Sequence, residues 1–313
     1  MRTGLFAIVV VPAVFVAGAE TIQIGSSLDG RMQPALLYTP PATQSAPAPL
    51  LVHLHSWSAT YDKSGQLQEA LEESRKRGWV FLSPNFRGPN NQPEACGSRY
   101  AVQDILDAVE YVRSRAKIDA RRIYLLGGSG GGHATLLLAA RAPHLWAAAS
   151  AWCPITDLAA WHRFSHEQGT RYARMLENCC GGPPESPQAD AEYRSRSPLF
   201  HLREAGGLAI ALDTGIEDGH KGSVPVSQTL LAFNELASAN GHPESAISAA
   251  DIATISGQAK IPDHLAKQRV EEPGRKRAVL FRRTAGPVQL TIFDGAHETD
   301  FATAIRWLER HSK

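Results

Sequence analysis

Residues 123–138 read Ile-Tyr-Leu-Leu-Gly-Gly-Ser-Gly-Gly-Gly-His-Ala-Thr-Leu-Leu-Leu, and this stretch decides the fold. The apolar start predicts a buried strand, and the run from His133 onward predicts a helix. The five residues Gly127 to Gly131 fit the pattern G-x-S-x-G in the strand–turn–helix context that this motif requires. A sharp turn of this kind strains the backbone of the serine, and the two outer glycines leave the necessary room. We therefore interpret Ser129 as a nucleophile.

The competing interpretation of these glycines is a phosphate-binding loop. No Lys-Ser or Lys-Thr pair follows them, and the pattern G-x-G-x-x-G is broken at His133. The helix start instead offers backbone N–H groups and a positive dipole end to a developing oxyanion, with Gly130 as the first donor. The second donor is expected on the loop after the strand at 50–54, as the N–H of Trp57 or of Ser56.

A serine on such a turn needs an acid and then a histidine further along the chain. His297 follows the last apolar strand, at the carboxyl edge of the predicted sheet, and is the expected general base. The acid should follow the strand before it, at 208–212. Asp218 on the next loop is our choice because it can orient the imidazole of His297, while Asp213 and Glu217 remain alternatives.

Short apolar runs alternate with amphipathic stretches along the rest of the chain, which predicts an α/β fold with a mostly parallel sheet and helices on both faces. Residues 155–205 and 241–280 are rich in Pro, Gly and charge and are too long for ordinary connections, so we expect lid-like insertions there. Strands are predicted at 50–55, 80–82, 123–126, 147–152, 208–212 and 288–293, an antiparallel hairpin at 21–39, and helices at 102–112 and 301–308.

Residues 1–19 are typical of a cleavable signal peptide. Arg2 precedes an apolar run at 5–16, and Ala17-Gly18-Ala19 offers a small-x-small cleavage site. The apolar run is shorter than the ~20 residues that a membrane span needs, and Pro12 interrupts it. We therefore expect a secreted or periplasmic protein without stable membrane insertion, whose catalytic domain covers 20–313.

The four cysteines of the chain are Cys96, Cys153, Cys179 and Cys180. An oxidising compartment favours one disulfide, and Cys96 is expected to pair with Cys179 or Cys180, of which we choose Cys180. No Cys-x-x-Cys spacing indicates a metal site. The formal net charge is +1 with both signs mixed along the chain, so nothing indicates nucleic-acid binding.

Several aromatic and imidazole side chains are candidates for substrate contact. Trp57, Trp152 and Trp161 are large enough to line an acyl or sugar pocket, although single tryptophans are more often core residues. His220 lies on the same loop as Asp218 and is either a substrate contact or a solvated side chain. His53 and His55 share one strand, but no metal-ligand pattern follows them, so we expect structural histidines, no metal and no cofactor.

Three segments together resemble the catalytic domain of the prolyl oligopeptidase family and related carbohydrate and aryl esterases of the α/β-hydrolase superfamily. They are the turn at Ser129, the segment Gly215-Ile-Glu-Asp218 followed by Val224-Pro225, and Asp294-Gly-Ala-His297. The resemblance covers nearly the whole chain after residue 19 and implies an α/β-hydrolase fold. The loop after Asp218 is longer than in that pattern, and His55-Ser56 stands where relatives commonly carry His-Gly or Tyr-Gly.

The sequence thus predicts a serine hydrolase that forms an acyl-enzyme and needs no cofactor. Our first expectation is the cleavage of carboxylic esters, either small molecules or acetylated or aryl-acylated carbohydrates. An alkoxide needs less protonation to leave than an amine does, and we expect no N-terminal β-propeller to hold a peptide. The alternative is a serine peptidase acting on small peptides with the same residues. A non-catalytic binding protein on this fold is the third reading, against which the complete Ser–Asp–His order argues.

Overall fold

The computed structural model describes residues 18–63 and 65–313. Most of the expected signal peptide, residues 1–17, therefore lies outside the described residues. Within the described ranges, no helix combines the length and the apolar character that crossing a membrane requires.

A mixed sheet of nine strands forms the centre of the described chain, in the order β1-β2-β4-β3-β5-β6-β7-β9-β8. Strands β3 to β7 and β9 are mutually parallel, while β1 and β2 at one edge and β8 at the other run antiparallel to their neighbours. The strands are β1 (Glu20–Gly25), β2 (Met32–Tyr38), β3 (Ala48–Leu54), β4 (Val80–Pro84), β5 (Ile118–Gly128), β6 (Ala148–Trp152), β7 (Ala209–Gly215), β8 (Val279–Ala285) and β9 (Val288–Phe293).

Helices cover both faces of this sheet. Apolar residues of α2, α3 and α7 join one core cluster, and those of α1 and α9 join a second cluster on the opposite face. The helices are α1 (Leu67–Lys76), α2 (Arg99–Arg113), α3 (Gly130–Arg141), α4 (Leu158–Glu167), α5 (Tyr172–Cys180), α6 (Pro187–Arg196), α7 (Val226–Ala239), α8 (Ala249–Gln258) and α9 (Phe301–Leu308).

Local sequence explains why these elements form. Every residue of β3 is buried, as expected for a central strand of a parallel sheet that is covered on both faces. The apolar stripe of α2 is buried, and Ser98 caps the helix by accepting a hydrogen bond from the N–H of Ala101. The predicted α/β fold, its edge hairpin and the two predicted helices are confirmed, whereas β8 was not predicted.

The two insertions differ in how they pack. Helices α4, α5 and α6 in 155–205 form a separate apolar cluster that includes Trp57 and Val224 from the main domain. By contrast, Ile247, Ile255 and Leu265 in 241–280 belong to the main core. The second insertion is thus anchored in the main core by these three side chains, and its interpretation as a lid stays a prediction.

Candidate active site

Ser129 occupies the sharp turn between β5 and α3. Its backbone has φ 58° and ψ −121°, which a non-glycine residue adopts only when its surroundings enforce it, at about 1–3 kcal/mol. The Ser129 N–H donates to the Trp152 carbonyl at 2.8 Å. A Cβ at Gly127 would lie 2.3 Å from the Gly131 oxygen, and one at Gly131 would lie 2.0 Å from the Leu54 oxygen. The close approach that the motif predicted is therefore present.

His297 and Asp218 meet at the carboxyl edge of the sheet. His297 Nδ1 lies 2.7 Å from Asp218 Oδ2, and since a carboxylate only accepts, Nδ1 carries the proton. Asp218 is fully buried, and its other oxygen accepts from the N–H groups of Gly219 and Val224, each at 3.0 Å. The imidazole is thereby held in the tautomer that leaves Nε2 free to take a proton. Both oxygens of Asp218 and Nδ1 of His297 thus have hydrogen-bond partners, so Nε2 of His297 is the polar atom of this pair that can accept a proton.

The other two candidate acids have different partners. Asp213 Oδ1 accepts from Arg275 Nη2 at 2.5 Å, and both side chains are almost completely buried. Burial raises the pKa of Asp213, and the Arg275 guanidinium opposes that rise. Glu217 pairs with Lys221 at 2.6 Å. Among the described residues, Asp218 is the acid that hydrogen-bonds to His297.

Gly130, the residue after the nucleophile, lies directly against the backbone of Trp57. A Cβ at Gly130 would be 2.5 Å from the nitrogen of Trp57. Neither N–H donates to an acceptor within the described ranges of the chain. The Trp57 carbonyl accepts from the N–H of Asn90 at 2.9 Å, which fixes the loop. This arrangement suits an oxyanion hole, and the assignment of Gly130 and Trp57 to it stays a prediction.

His53 and His55 have a structural place in the fold. The two ring nitrogens of His55 lie 3.0 and 2.9 Å from the carbonyl oxygens of Ser56 and Asn85, and the protonated nitrogen donates. Burial lowers the pKa of His53 to about 3, with a smaller contribution from His55, so its ring is neutral near pH 7. Both side chains are buried, which is typical of histidines with a structural role.

The predicted substrate contacts through aromatic rings require correction. The Trp152 side chain is only 1% exposed and packs against Phe293 and the Arg275 guanidinium, so it is a core residue. The Trp57 ring is also buried, edge-on against Trp161 at 4.7 Å, which leaves only its backbone at the site. The Trp152 ring belongs to a core cluster beside the sheet, and the Trp57 ring belongs to the cluster of the first insertion; in both places apolar burial is more favourable than exposure.

Two further predictions concern His220 and the disulfide. The His220 ring bonds to the Ser256 carbonyl at 2.8 Å, which ties the acid loop to α8. All four cysteines are free buried thiols, so the predicted Cys96–Cys180 bond is not formed. Burial, and after it the neighbouring Cys179 thiol, raise the pKa of Cys96 well above its usual range. Consecutive residues of a helix point about 100° apart, so α5 cannot direct both of its cysteines at one partner.

Cys153 lies beside the His297–Asp218 pair and was not predicted to do so. It directly follows β6, with φ 44°, and its Sγ is 3.5 Å from the Glu298 carbonyl and 3.9 Å from that of Ala296. Burial and the neighbouring Asp218 charge raise the pKa of this thiol well above its usual range. In the sequence, a cysteine that follows a buried strand looks the same whether it lies beside a catalytic pair or in the core. The position of Cys153 could therefore not be predicted.

Replacing Gly222 with alanine is expected to lower kcat about 10²-fold or more. The new Cβ would lie 2.2 Å from Asp218 Oδ1 and 2.7 Å from His297 Cβ, so these groups or the loop of residue 222 must shift. A displacement of about 1 Å at a catalytic group costs roughly that factor. Gly257→Ala is the matched control, because its Cβ would meet nothing within 4 Å. Steady-state kinetics of both variants test this, and equal rates would show that the 218–297 pair is not needed.

Comparison with known proteins places this site in a family. A sequence profile described as the prolyl oligopeptidase family matches residues 69–250, more than half of the chain. Acylamino-acid-releasing enzyme 1 of Oryza sativa subsp. japonica is 28% identical over 205 residues, which cover 59% of this chain and 25% of the relative. The chain therefore spans about a quarter of the length of that relative.

Solved structures share the fold. Acylaminoacyl peptidase of Pyrococcus horikoshii superimposes with a TM-score of 0.56 at 22% identity, over 71% of this chain and 35% of that one. A thermostable esterase superimposes with a TM-score of 0.56 at 14% identity, over 95% of this chain and 64% of the esterase. These likenesses support the α/β-hydrolase fold. The profile match, over more than half of the chain, shows that the chain belongs to the prolyl oligopeptidase family.

Proposed function

We propose that this chain is a serine peptidase that cleaves amide bonds in short peptides. The observation that carries the proposal is the pair of His297 and buried Asp218, 2.7 Å apart, at the same sheet edge as the strained Ser129. Membership of a peptidase family favours an amide over the ester that the sequence had suggested first. The relative and one of the two solved structures described above are likewise named for aminoacyl substrates.

The residues divide the reaction between them. Ser129 Oγ attacks the carbonyl carbon while His297 Nε2 takes its proton, and Asp218 stabilises the resulting imidazolium. The oxyanion is bound by the N–H groups of Gly130 and Trp57. His297 then donates its proton to the departing amine, which leaves an acyl-enzyme on Ser129. Water activated by His297 releases the acid and restores the serine.

Helix α4 of the first insertion packs against two loops of the proposed site. Trp161 of α4 donates its indole N–H to the Ser223 carbonyl at 2.7 Å, on the loop that carries Asp218. The same ring packs on Trp57. One side chain thus connects the acid loop with the proposed oxyanion loop. We therefore place the acyl side of the substrate against α4, and we propose N-acylated peptides as the first class to test, in line with the names of the relatives.

A panel of substrates at equal protein concentration tests this function. We expect hydrolysis of N-acetyl-alanyl p-nitroanilide with a higher kcat/KM than of unblocked alanyl p-nitroanilide or an Xaa-Pro anilide. An activated ester such as p-nitrophenyl acetate is cleaved by either kind of enzyme, so acetylated xylan is the informative ester. A fluorophosphonate probe should label the wild-type protein and not Ser129→Ala. Release of acetate from xylan without cleavage of any anilide would replace the peptidase by a carbohydrate esterase.

A further inference from the structure

We propose that Cys153, Asp218 and His297 form an inhibitory binding site for thiophilic divalent cations, with Zn²⁺ as the type case. One donor atom of each residue lies within 4.8 Å of the others. The three come from separate loops, after β6, β7 and β9, which end at the same edge of the sheet. The mechanism above uses two of these residues and has no role for the third.

The spacing of the donors is close to what a metal needs. Zinc binds sulfur at about 2.3 Å and nitrogen or oxygen at about 2.0–2.2 Å, so tetrahedral ligands lie roughly 3.4–3.6 Å apart. The group would have to contract by about 1 Å along its longest side. Two of the donors, His297 Nδ1 and Asp218 Oδ2, are already 2.7 Å apart and would have to open slightly. Loop ends can make shifts of this size without disturbing the strands.

The donor types select the cation. One thiolate, one imidazole and one carboxylate form a set that Zn²⁺ and Cd²⁺ bind, whereas Mg²⁺ and Ca²⁺ prefer oxygen ligands alone. Asp218 receives its described hydrogen bonds from Gly219, Val224 and His297, none of which is a Lys or Arg side chain. A dication therefore meets a buried carboxylate that has no lysine or arginine partner among its described hydrogen bonds. On binding, the thiol proton is released to water and the Nδ1 proton moves through water to Nε2, so the imidazole stays neutral. The new thiolate and the Asp218 carboxylate together balance the two charges that enter.

Occupation of this site would stop the proposed reaction, because the metal would replace the hydrogen bond that holds the imidazole in its working tautomer. His297 is about 23% exposed on its side chain and offers the way in, since the other two groups are buried. The site is inhibitory and not a resident cofactor site. Chelator should therefore leave the metal-free protein fully active and should restore the zinc-treated protein.

The test compares zinc inhibition and cadmium binding in three proteins. Wild type should lose activity with a one-to-one stoichiometry and recover with EDTA. Cys153→Ala should need at least ~10-fold more zinc, each rate being referred to the metal-free rate of the same variant, because even the loss of a group supporting a ligand costs 10–100-fold in affinity. Cys180→Ala removes another buried thiol, from the α5 cluster, and should be inhibited like the wild type.

A direct readout separates this proposal from the proposed function. Titration with Cd²⁺ produces ultraviolet absorption from each thiolate that binds it, and the tightest band should disappear in Cys153→Ala and persist in Cys180→Ala. This measurement needs no substrate, so it tests the metal site even if the protein hydrolyses none of the peptides. Cys153→Ser preserves the side-chain volume and serves if the alanine variant does not fold. Unchanged zinc inhibition and an unchanged cadmium band in the Cys153 variants would overturn the proposal.

Discussion

Replacing Ser129 or His297 with alanine is expected to lower kcat by about 10⁴–10⁶-fold, which is the loss seen when one member of a catalytic triad is removed. Ser129→Ala should leave the free energy of unfolding nearly unchanged, because Ser129 Oγ makes no hydrogen bond within the described ranges and does not cap α3. His297→Ala should cost about 1–3 kcal/mol, because the buried carboxylate of Asp218 loses one of its partners.

The double variant tests whether the two residues act as one unit. Its kcat should be no lower than that of either single variant, since members of a triad are strongly non-additive. Hydrolysis of the best anilide and unfolding followed by circular dichroism measure the two effects separately. His264→Ala is the control, an exposed histidine of the second insertion that pairs with Asp251. A single variant that keeps more than a tenth of wild-type turnover would remove that residue from the catalytic site.

The sequence predicted those parts of the fold whose signal is local. The motif around Ser129 contains its own strand, turn and helix, so one short stretch identified the geometry later seen there. Strand β8 was missed because Val279–Ala285 contains Arg282 and Arg283 and is only partly buried. Edge strands often carry such charges, because the charges prevent the sheet edge from pairing with another strand. The sequence of such a strand then looks like that of a polar loop.

The other features that the sequence did not predict depend on contacts between residues that are far apart in the chain. Arg275 lies 62 positions after Asp213 and reaches it in the interior, yet nothing in either neighbourhood pairs them. Trp152 was proposed to line a substrate pocket because it is large and aromatic, but whether such a side chain at a strand end faces the core or the site depends on what packs there. Here Arg275 and Phe293 surround it. The same limit applies to Cys153, whose neighbours come from two other loops.

If Asp218 is the acid of the triad and Asp213 is a structural residue, the same Asp→Asn substitution should have different effects at the two positions. Asp218→Asn should lower kcat by about 10⁴-fold, because an amide NH₂ facing Nδ1 favours the wrong tautomer of His297. The fold should tolerate this change, since the amide oxygen can still accept from Gly219 and Val224.

Asp213→Asn should instead destabilise the protein by roughly 3–5 kcal/mol, since it leaves the guanidinium of Arg275 buried without its main partner. The side chains of Asp213 and Arg275 are 4% and 3% exposed, so water cannot compensate, and Glu272 at 3.3 Å replaces only part of the interaction. The rate per folded molecule should change by only a few-fold. Urea unfolding gives the stability, and fluorophosphonate titration gives the concentration of working sites for kcat. If Asp213→Asn is the inactive variant and Asp218→Asn the unstable one, Asp213 is the acid of the triad.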